Sequence, residues 1–293
     1  MILFLHFRAG GLVCPIRLAE THCPKSRRNP MEVKMAYENL IVSVEDHFVG
    51  EITLNRPEQL NTFNSALAEE LYNALLAMDN DPKVRAILIK GAGKAFCAGI
   101  DVNELFGKTA MEYKAWIAHM ERPLITISRL KKPVIAQLHG VAAANGAGLV
   151  AAADLAIAAE NARLGLTAIN VGLNCVGPVV PVARSLGRKR ALELLFYGEL
   201  IKAPEALAMG LINRIVPKDD LEKEARAWAR TLAAKSPVAL QIAKQAYYRS
   251  EDMSYASQFE YMNEAFARLC TTSDAKEGVT AFFEKRLPKW EGK

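Results

Sequence analysis

The sequence predicts an α/β fold with parallel strands, followed by a helical C-terminal region. Three observations carry this. Short, almost continuously apolar runs (residues 86–90 and 134–138) alternate with longer stretches of helical period, the pattern of strands covered on both faces. After Pro217 no strand-like run remains and four helical segments follow. At 293 residues, 51% hydrophobic and 24% charged, the chain can enclose a sizeable core without staples; disorder throughout, collagen and coiled-coil arrays are ruled out.

The elements follow in order. Residues 40–44 and 49–54 are β-rich and flank the polar Glu45-Asp46-His47, a hairpin signal, and Asn55-Arg56-Pro57 ends the second strand. Leu67, Leu71, Leu75 and Met78 recur at helical spacing until Asn80-Asp81-Pro82 stops that helix. Residues 86–90 form a short buried strand closed by Gly91-Ala92-Gly93. A helix rich in methionine and aromatics covers about 110–130. Pro133 opens the strand 134–138, a small-residue helix begins near Gly146, and 155–158 is strand-like again. Residues 221–235, 238–248, 255–269 and 275–284 are helical, Pro237 opening the second. Phe259, Met262, Phe266 and Leu269 share one helical face, which marks a surface for self-association.

The division is therefore an N-terminal extension (1–35), a core (36–236) and a helical region (237–293). The extension holds six bases against two acids, Glu20 and Glu32, and contributes most of the net charge of +5. Its prolines and lack of periodicity imply a disordered leader or a start-site artefact, with an organelle transit peptide as the alternative. The expected location is the cytoplasm, or an organelle matrix in the transit-peptide case. The remaining, nearly neutral chain gives no electrostatic case for nucleic acid. No charge-free apolar run is long enough to span a membrane. Five cysteines, Cys14, Cys23, Cys97, Cys175 and Cys270, are odd in number and widely spaced, which argues against a disulfide framework or a metal site and for a reducing compartment.

Single motifs fail. Gly146-x-Gly148-x-x-Ala151 fits the dinucleotide pattern formally, but the acidic residue expected about twenty positions later is absent, and close packing explains the small residues. Gly91-Ala92-Gly93-Lys94 lacks the rest of a phosphate-binding loop. A set of segments in fixed order is more specific: residues 55–61 (NRPEQLN), 94–101 (KAFCAGID), 132–140 (KPVIAQLHG) running into 144–148 (ANGAG) with Ala153-Asp154, and 278–286 (GVTAFFEKR). Together, over Tyr37 to Trp290, these resemble the enoyl-CoA hydratase/isomerase (crotonase) superfamily.

The resemblance implies a spiral of ββα turns with a C-terminal helical trimerisation region, assembled as a trimer or a hexamer. It implies acyl-CoA thioester chemistry, in which two backbone N–H groups stabilise an enolate-like oxygen; by position these belong to Ile100 and Asn145. Asparagine stands where many relatives have glycine, and it tolerates unusual backbone angles. Coenzyme A is part of the substrate, and no separate cofactor is implied. Backbone around Gln59, Leu60, Phe96 and Ala98 would cup the adenine and pantetheine, and Phe282 and Lys285 would reach the nucleotide from a neighbouring subunit.

The departures concern proton transfer. The two glutamates of typical hydratases fall on Gly148 and Ala168, and an aspartate used by some relatives falls on Val176. Neither Gly148 nor Ala168 can move a proton, so a different thioester reaction (hydrolysis, decarboxylation, isomerisation) and a non-catalytic acyl-CoA-binding role stand beside hydration. Cys175 is a candidate nucleophile or proton carrier provided its thiol pKa is lowered. His139 reads as a structural histidine, Asp101 and Asp154 as capping or salt-bridge residues, and Cys97 as small-residue packing. Restoring glutamate at Gly148 and Ala168 is expected to raise hydratase activity. Deleting residues 1–34 should leave folding and oligomeric state unchanged, as thermal melting and sedimentation of the truncated chain would show.

Overall fold

The hairpin consists of β1 (Leu40–Glu45) and β2 (Val49–Leu54), antiparallel with Leu40 opposite Leu54. It opens the computed structural model, which describes residues 37–293; the readings placed on residues 1–35 lie outside the described residues. β3 (Ala86–Gly91), β4 (Val134–Leu138), β6 (Leu155–Ala159) and β9 (Arg214–Val216) continue from β2 in parallel, completing a six-stranded sheet in the order β1-β2-β3-β4-β6-β9. Ile87, Leu88, Ile89, Val134 and Ile135 are fully buried, as the unbroken apolar runs require.

A second, smaller sheet is made by β5 (Val141–Ala143), β7 (Arg163–Gly165) and β8 (Ile201–Lys202), with β5 and β7 parallel. A bridge between Cys97 and Ala142 extends it towards the segment after β3. Successive turns of chain thus give first to the large sheet and then to the small one: β3 then Cys97, β4 then β5, β6 then β7. This is the ββα spiral.

The helices close each turn. α1 (Ser65–Asn80) is capped by the Asn64 side chain and buries Leu67, Leu71, Leu75 and Met78. α2 (Ala110–Arg129) starts with a capping box of Thr109 and Glu112 and contains Pro123. α3 (Asn145–Ala152) is short and almost wholly buried. α4 (Val179–Leu186), α5 (Arg188–Tyr197) and α6 (Ala203–Met209) fill the stretch before β9. α7 (Leu221–Ala233), α8 (Pro237–Ser250), α9 (Tyr255–Cys270) and α10 (Ser273–Glu284) are the four helices read after Pro217.

Buried ions tie these later helices to the sheet. Glu51 in β2 is buried and held by Arg226 of α7 (Nε to Oε1 2.5 Å) and Lys90 of β3 (2.8 Å). Burial alone would raise its carboxyl, but the bonds from Arg226 and Lys90 outweigh it and the net direction is down. Asp154, at the start of β6, accepts from the Val134 N–H (2.6 Å), Lys244 Nζ of α8 (2.6 Å) and the Tyr248 hydroxyl (2.9 Å).

On α9, Met262 and Leu269 are half-buried within the chain, whereas Phe259 is 57% and Phe266 67% exposed. Phe282 and Phe283 of α10 are exposed as well. Covering such rings would drive association, each worth about 1.5–3 kcal/mol when fully buried. The chain should therefore sediment as an oligomer at micromolar concentration, and the F259D/F266D double variant should shift it towards monomer without unfolding it.

Candidate active site

Between β3 and α2 the chain makes a narrow crossing against three other segments. Cys97 N–H donates to the Val141 carbonyl (3.1 Å), and the Cys97 carbonyl accepts from Ala143 N–H (2.9 Å). Ala98 N–H donates to the Leu60 carbonyl (3.0 Å). Phe63 N–H donates to the Gly99 carbonyl (2.8 Å), and Asp101 N–H to the Phe63 carbonyl (2.7 Å), a parallel bridge centred on Ile100. In that geometry the groups on either side of Ile100 face Phe63, so the Ile100 N–H turns the other way.

The first turn of α3 lies on that side. A Cβ added to Gly99 (φ 117°) would come within 3.2 Å of the Ala144 Cβ, and one added to Gly146 within 2.1 Å of the Cys97 carbonyl oxygen. Gly146 therefore stands where backbone meets backbone, the close-packing role read for the failed dinucleotide motif. Asn145 is the first residue of α3. Among the described residues neither the Ile100 nor the Asn145 N–H has an acceptor. The two segments that carry these N–H groups, one of them a helix start, meet at the Gly99–Ala144 contact.

The unusual backbone falls one residue earlier than expected. Asn145 is helical, and Ala144 carries φ 47° and ψ −114°. Asparagine is thus not needed for its backbone tolerance. Its side chain is buried, with an amide Nδ2 that has no partner.

The crossing is held from below by Asp101, in the salt-bridge and capping role read for it, and by Arg56 and Asn61, which spacing alone did not single out. Arg56 Nη2 pairs with Asp101 Oδ2 at 2.8 Å, and Asp101 also caps the short turn after it through Asn103 N–H. Asn61, fully buried, accepts from Arg56 N–H and donates to the carbonyls of Ala92 and Ala95, each at 2.8 Å. The family-type segments 55–61 and 94–101 are therefore one hydrogen-bonded unit.

The remaining site residues divide. Gln59 and Leu60 are exposed beside half-buried Ala98. Phe96 has its ring in the core and its N–H on the His139 carbonyl (3.1 Å). Phe282 (78% exposed) and Lys285 stand at the C-terminal end of α10. His139 Nε2 lies 3.0 Å from the Gly93 carbonyl, and burial lowers its pKa. Cys97 is fully buried and its thiol is pushed up to about 12 by desolvation. Cys175 is also buried, and desolvation raises its thiol too, so it lacks the lowered pKa on which a nucleophilic role was conditional.

One expectation meets an obstacle. A Cβ at Gly148 would lie 2.8 Å from the Pro178 Cβ, 2.9 Å from Leu124 Cδ2 and 3.0 Å from the Pro178 Cα. A side chain at 148 requires Pro178 and Leu124 to shift, which works against the gain expected from a glutamate there. Ala168 is half-buried.

Comparisons with known proteins give the family. The profile of the Enoyl-CoA hydratase/isomerase family matches residues 45–293. A protein of Mycobacterium tuberculosis described as "Probable enoyl-CoA hydratase" is 37% identical over 257 residues, covering 87% of this chain and 99% of that one. The human mitochondrial enoyl-CoA hydratase domain-containing protein 3 is 32% identical over 243 residues, 83% of this chain and 80% of that one. The crystal structure of an enoyl-CoA hydratase from Mycobacterium smegmatis superimposes with a TM-score of 0.83 at 37% identity, covering 86% and 98% of the two chains. That of the human domain-containing protein 3 gives 0.82 at 31%, covering 86% and 100%. Fold and segments together define a crotonase-type acyl-CoA-processing protein. The chain belongs to the enoyl-CoA hydratase/isomerase family.

The hydrogen bond from Arg56 holds the Asp101 carboxyl below its ordinary range. A depressed carboxyl contributes stability that is present above the unfolded pKa of about 4 and is lost as pH falls through the folded value. Arg56→Ala should therefore cost about 1.5–3 kcal/mol at neutral pH. In thermal melts the gap between variant and wild type should narrow as pH falls below about 4.

Proposed function

We propose that the protein binds an acyl-CoA with the thioester oxygen between the N–H groups of Ile100 and Asn145, and that it hydrates a 2-enoyl-CoA. The observation that carries this is the pair of unpartnered N–H groups beside the Gly99–Ala144 contact. When a nucleophile adds at C3 of an enoyl thioester, negative charge moves to the thioester oxygen. Donors fixed by the Phe63 bridge and by α3 meet that charge without reorganising, which is where such a hole gains its effect. Coenzyme A serves as the substrate's handle, with no separate cofactor. Gln59, Leu60 and Ala98 flank its path, Phe96 contributes backbone only, and Phe282 and Lys285 complete the nucleotide site from a neighbouring subunit of a trimer or hexamer.

Among the described residues no helix is long and apolar enough to cross a membrane. We place the activity in the cytoplasm, with an organelle matrix as the alternative that the mitochondrial relatives fit. The absence of carboxylates at Gly148 and Ala168 supports a second reading, binding or another thioester reaction without hydration.

Following the absorbance of crotonyl-CoA separates these readings: its loss reports hydration, release of free thiol reports hydrolysis, and butyryl-CoA binding without turnover reports a binding protein. Gly99→Ala places a side chain at φ 117° against Ala144 and should shift the Ile100 N–H. It should lower kcat by about 10²–10³, the effect of losing one such donor, with kcat measured on crotonyl-CoA.

A further inference from the structure

With Gly148 and Ala168 unable to carry protons, another group must move them if the site hydrates. Asp101 is engaged by Arg56, Glu104 by Ser65 and Trp116, and Asp154 by Lys244 and Tyr248. Both buried thiols are held protonated. Glu121 of α2 differs. It is half-buried, and among the described residues its carboxyl has neither a hydrogen bond nor an ion pair.

Its position is fixed by two close approaches. A Cβ added to Gly177 would lie 1.5 Å from Glu121 Oε1 and 2.6 Å from Oε2, so the carboxyl occupies the volume of a side chain at 177. The next residue, Pro178, covers Gly148 together with Leu124. Leu124 follows Glu121 by three residues on α2, and Gly148 follows Asn145 by three on α3, so each pair shares a helix face. The carboxyl thus lies beside Gly177, next in the chain to the Pro178 that covers the vacated glutamate position, and that position is about one helical turn from Asn145.

We infer that Glu121 is the catalytic acid–base residue of this chain, supplied from α2 in place of the carboxylates absent from positions 148 and 168. The inference rests on the hydratase reading above. As the carboxylate, Glu121 takes a proton from water while the water oxygen bonds to C3 of the enoyl group. The C2–C3 π pair moves into the thioester, leaving an enolate whose oxygen sits between Ile100 and Asn145. Glu121, now the acid, returns the proton to C2; the enolate collapses and the carboxylate is regenerated. One water is added, and no oxidant, reductant or metal takes part. Desolvation raises the carboxyl's pKa, which brings it nearer the working range of a proton carrier at neutral pH.

The test compares wild type, Glu121→Gln and Glu121→Asp, with crotonyl-CoA hydration and butyryl-CoA binding measured on each. General acid–base catalysis is worth about 10²–10⁴. Glu121→Gln should lose that factor in kcat with its thermal midpoint and butyryl-CoA Kd near wild type, and Glu121→Asp should recover part of it. Glu121→Gln within twofold of an active wild type overturns the assignment and leaves the hydratase reading standing. A wild type that binds butyryl-CoA without hydrating any enoyl-CoA, or that binds neither, overturns both. A Glu121→Gln variant that loses kcat only together with binding and thermal stability also counts against a catalytic role, because it shows the carboxyl holding α2 against Gly177.

Discussion

The site depends on how closely the backbone at residues 97–99 approaches the first turn of α3. Gly146 sits against the Cys97 carbonyl and Gly99 against Ala144, with no room for a side chain at either glycine. That approach sets the spacing of two N–H groups belonging to residues 45 positions apart. The strained backbone at Ala144, a conformation costing about 1–3 kcal/mol, is sustained because its N–H is anchored on Gly165 and Gly148 N–H returns to its carbonyl. β5 before the turn, α3 after it and β7 beside it over-determine the turn, so local strain persists.

Beneath the crossing, polar groups do what apolar packing cannot. Asn61 has three bonds, to backbone on both sides, and no freedom left. Arg56 and Asp101 hold the 55–61 loop to the crossing with the pair almost excluded from water. Replacing such groups leaves a buried partner unsatisfied, which costs more than the original bond contributed. The loop is thereby kept in one register beside the chain that carries the Ile100 donor.

The large sheet apart from β9, and most helices, were legible because their signals are strong: unbroken apolar strands, and Leu67-Leu71-Leu75-Met78 on α1. The small sheet was not, since strands of two or three residues such as Ile201–Lys202 carry no measurable period. Around the candidate site, the family-type segments that contain Ile100 and Asn145 stood out, because a tight crossing demands small residues in a recognisable order. The strain at Ala144 and the blocked space at Gly148 were not. Both arise from residues far apart in sequence, Leu124 and Pro178 in the second case, that only packing brings together. Glu121 was invisible for the same reason: within α2 it is one more polar position on an amphipathic helix.

Glu51 has a consequence for the order in which the chain becomes a protein. Its carboxylate lies in the second strand, yet Arg226, which supplies two of its bonds, emerges 175 residues later. Until α7 arrives, an emerging sheet would have to enclose that carboxylate with Lys90 alone, or leave the edge wet. The charge balance of the first two strands is thus completed only by a residue of α7. A chain ended before α7 would keep Lys90 as the one partner of Glu51 and lose both bonds from Arg226, so an incomplete product would carry an under-paired buried carboxylate that the finished one does not.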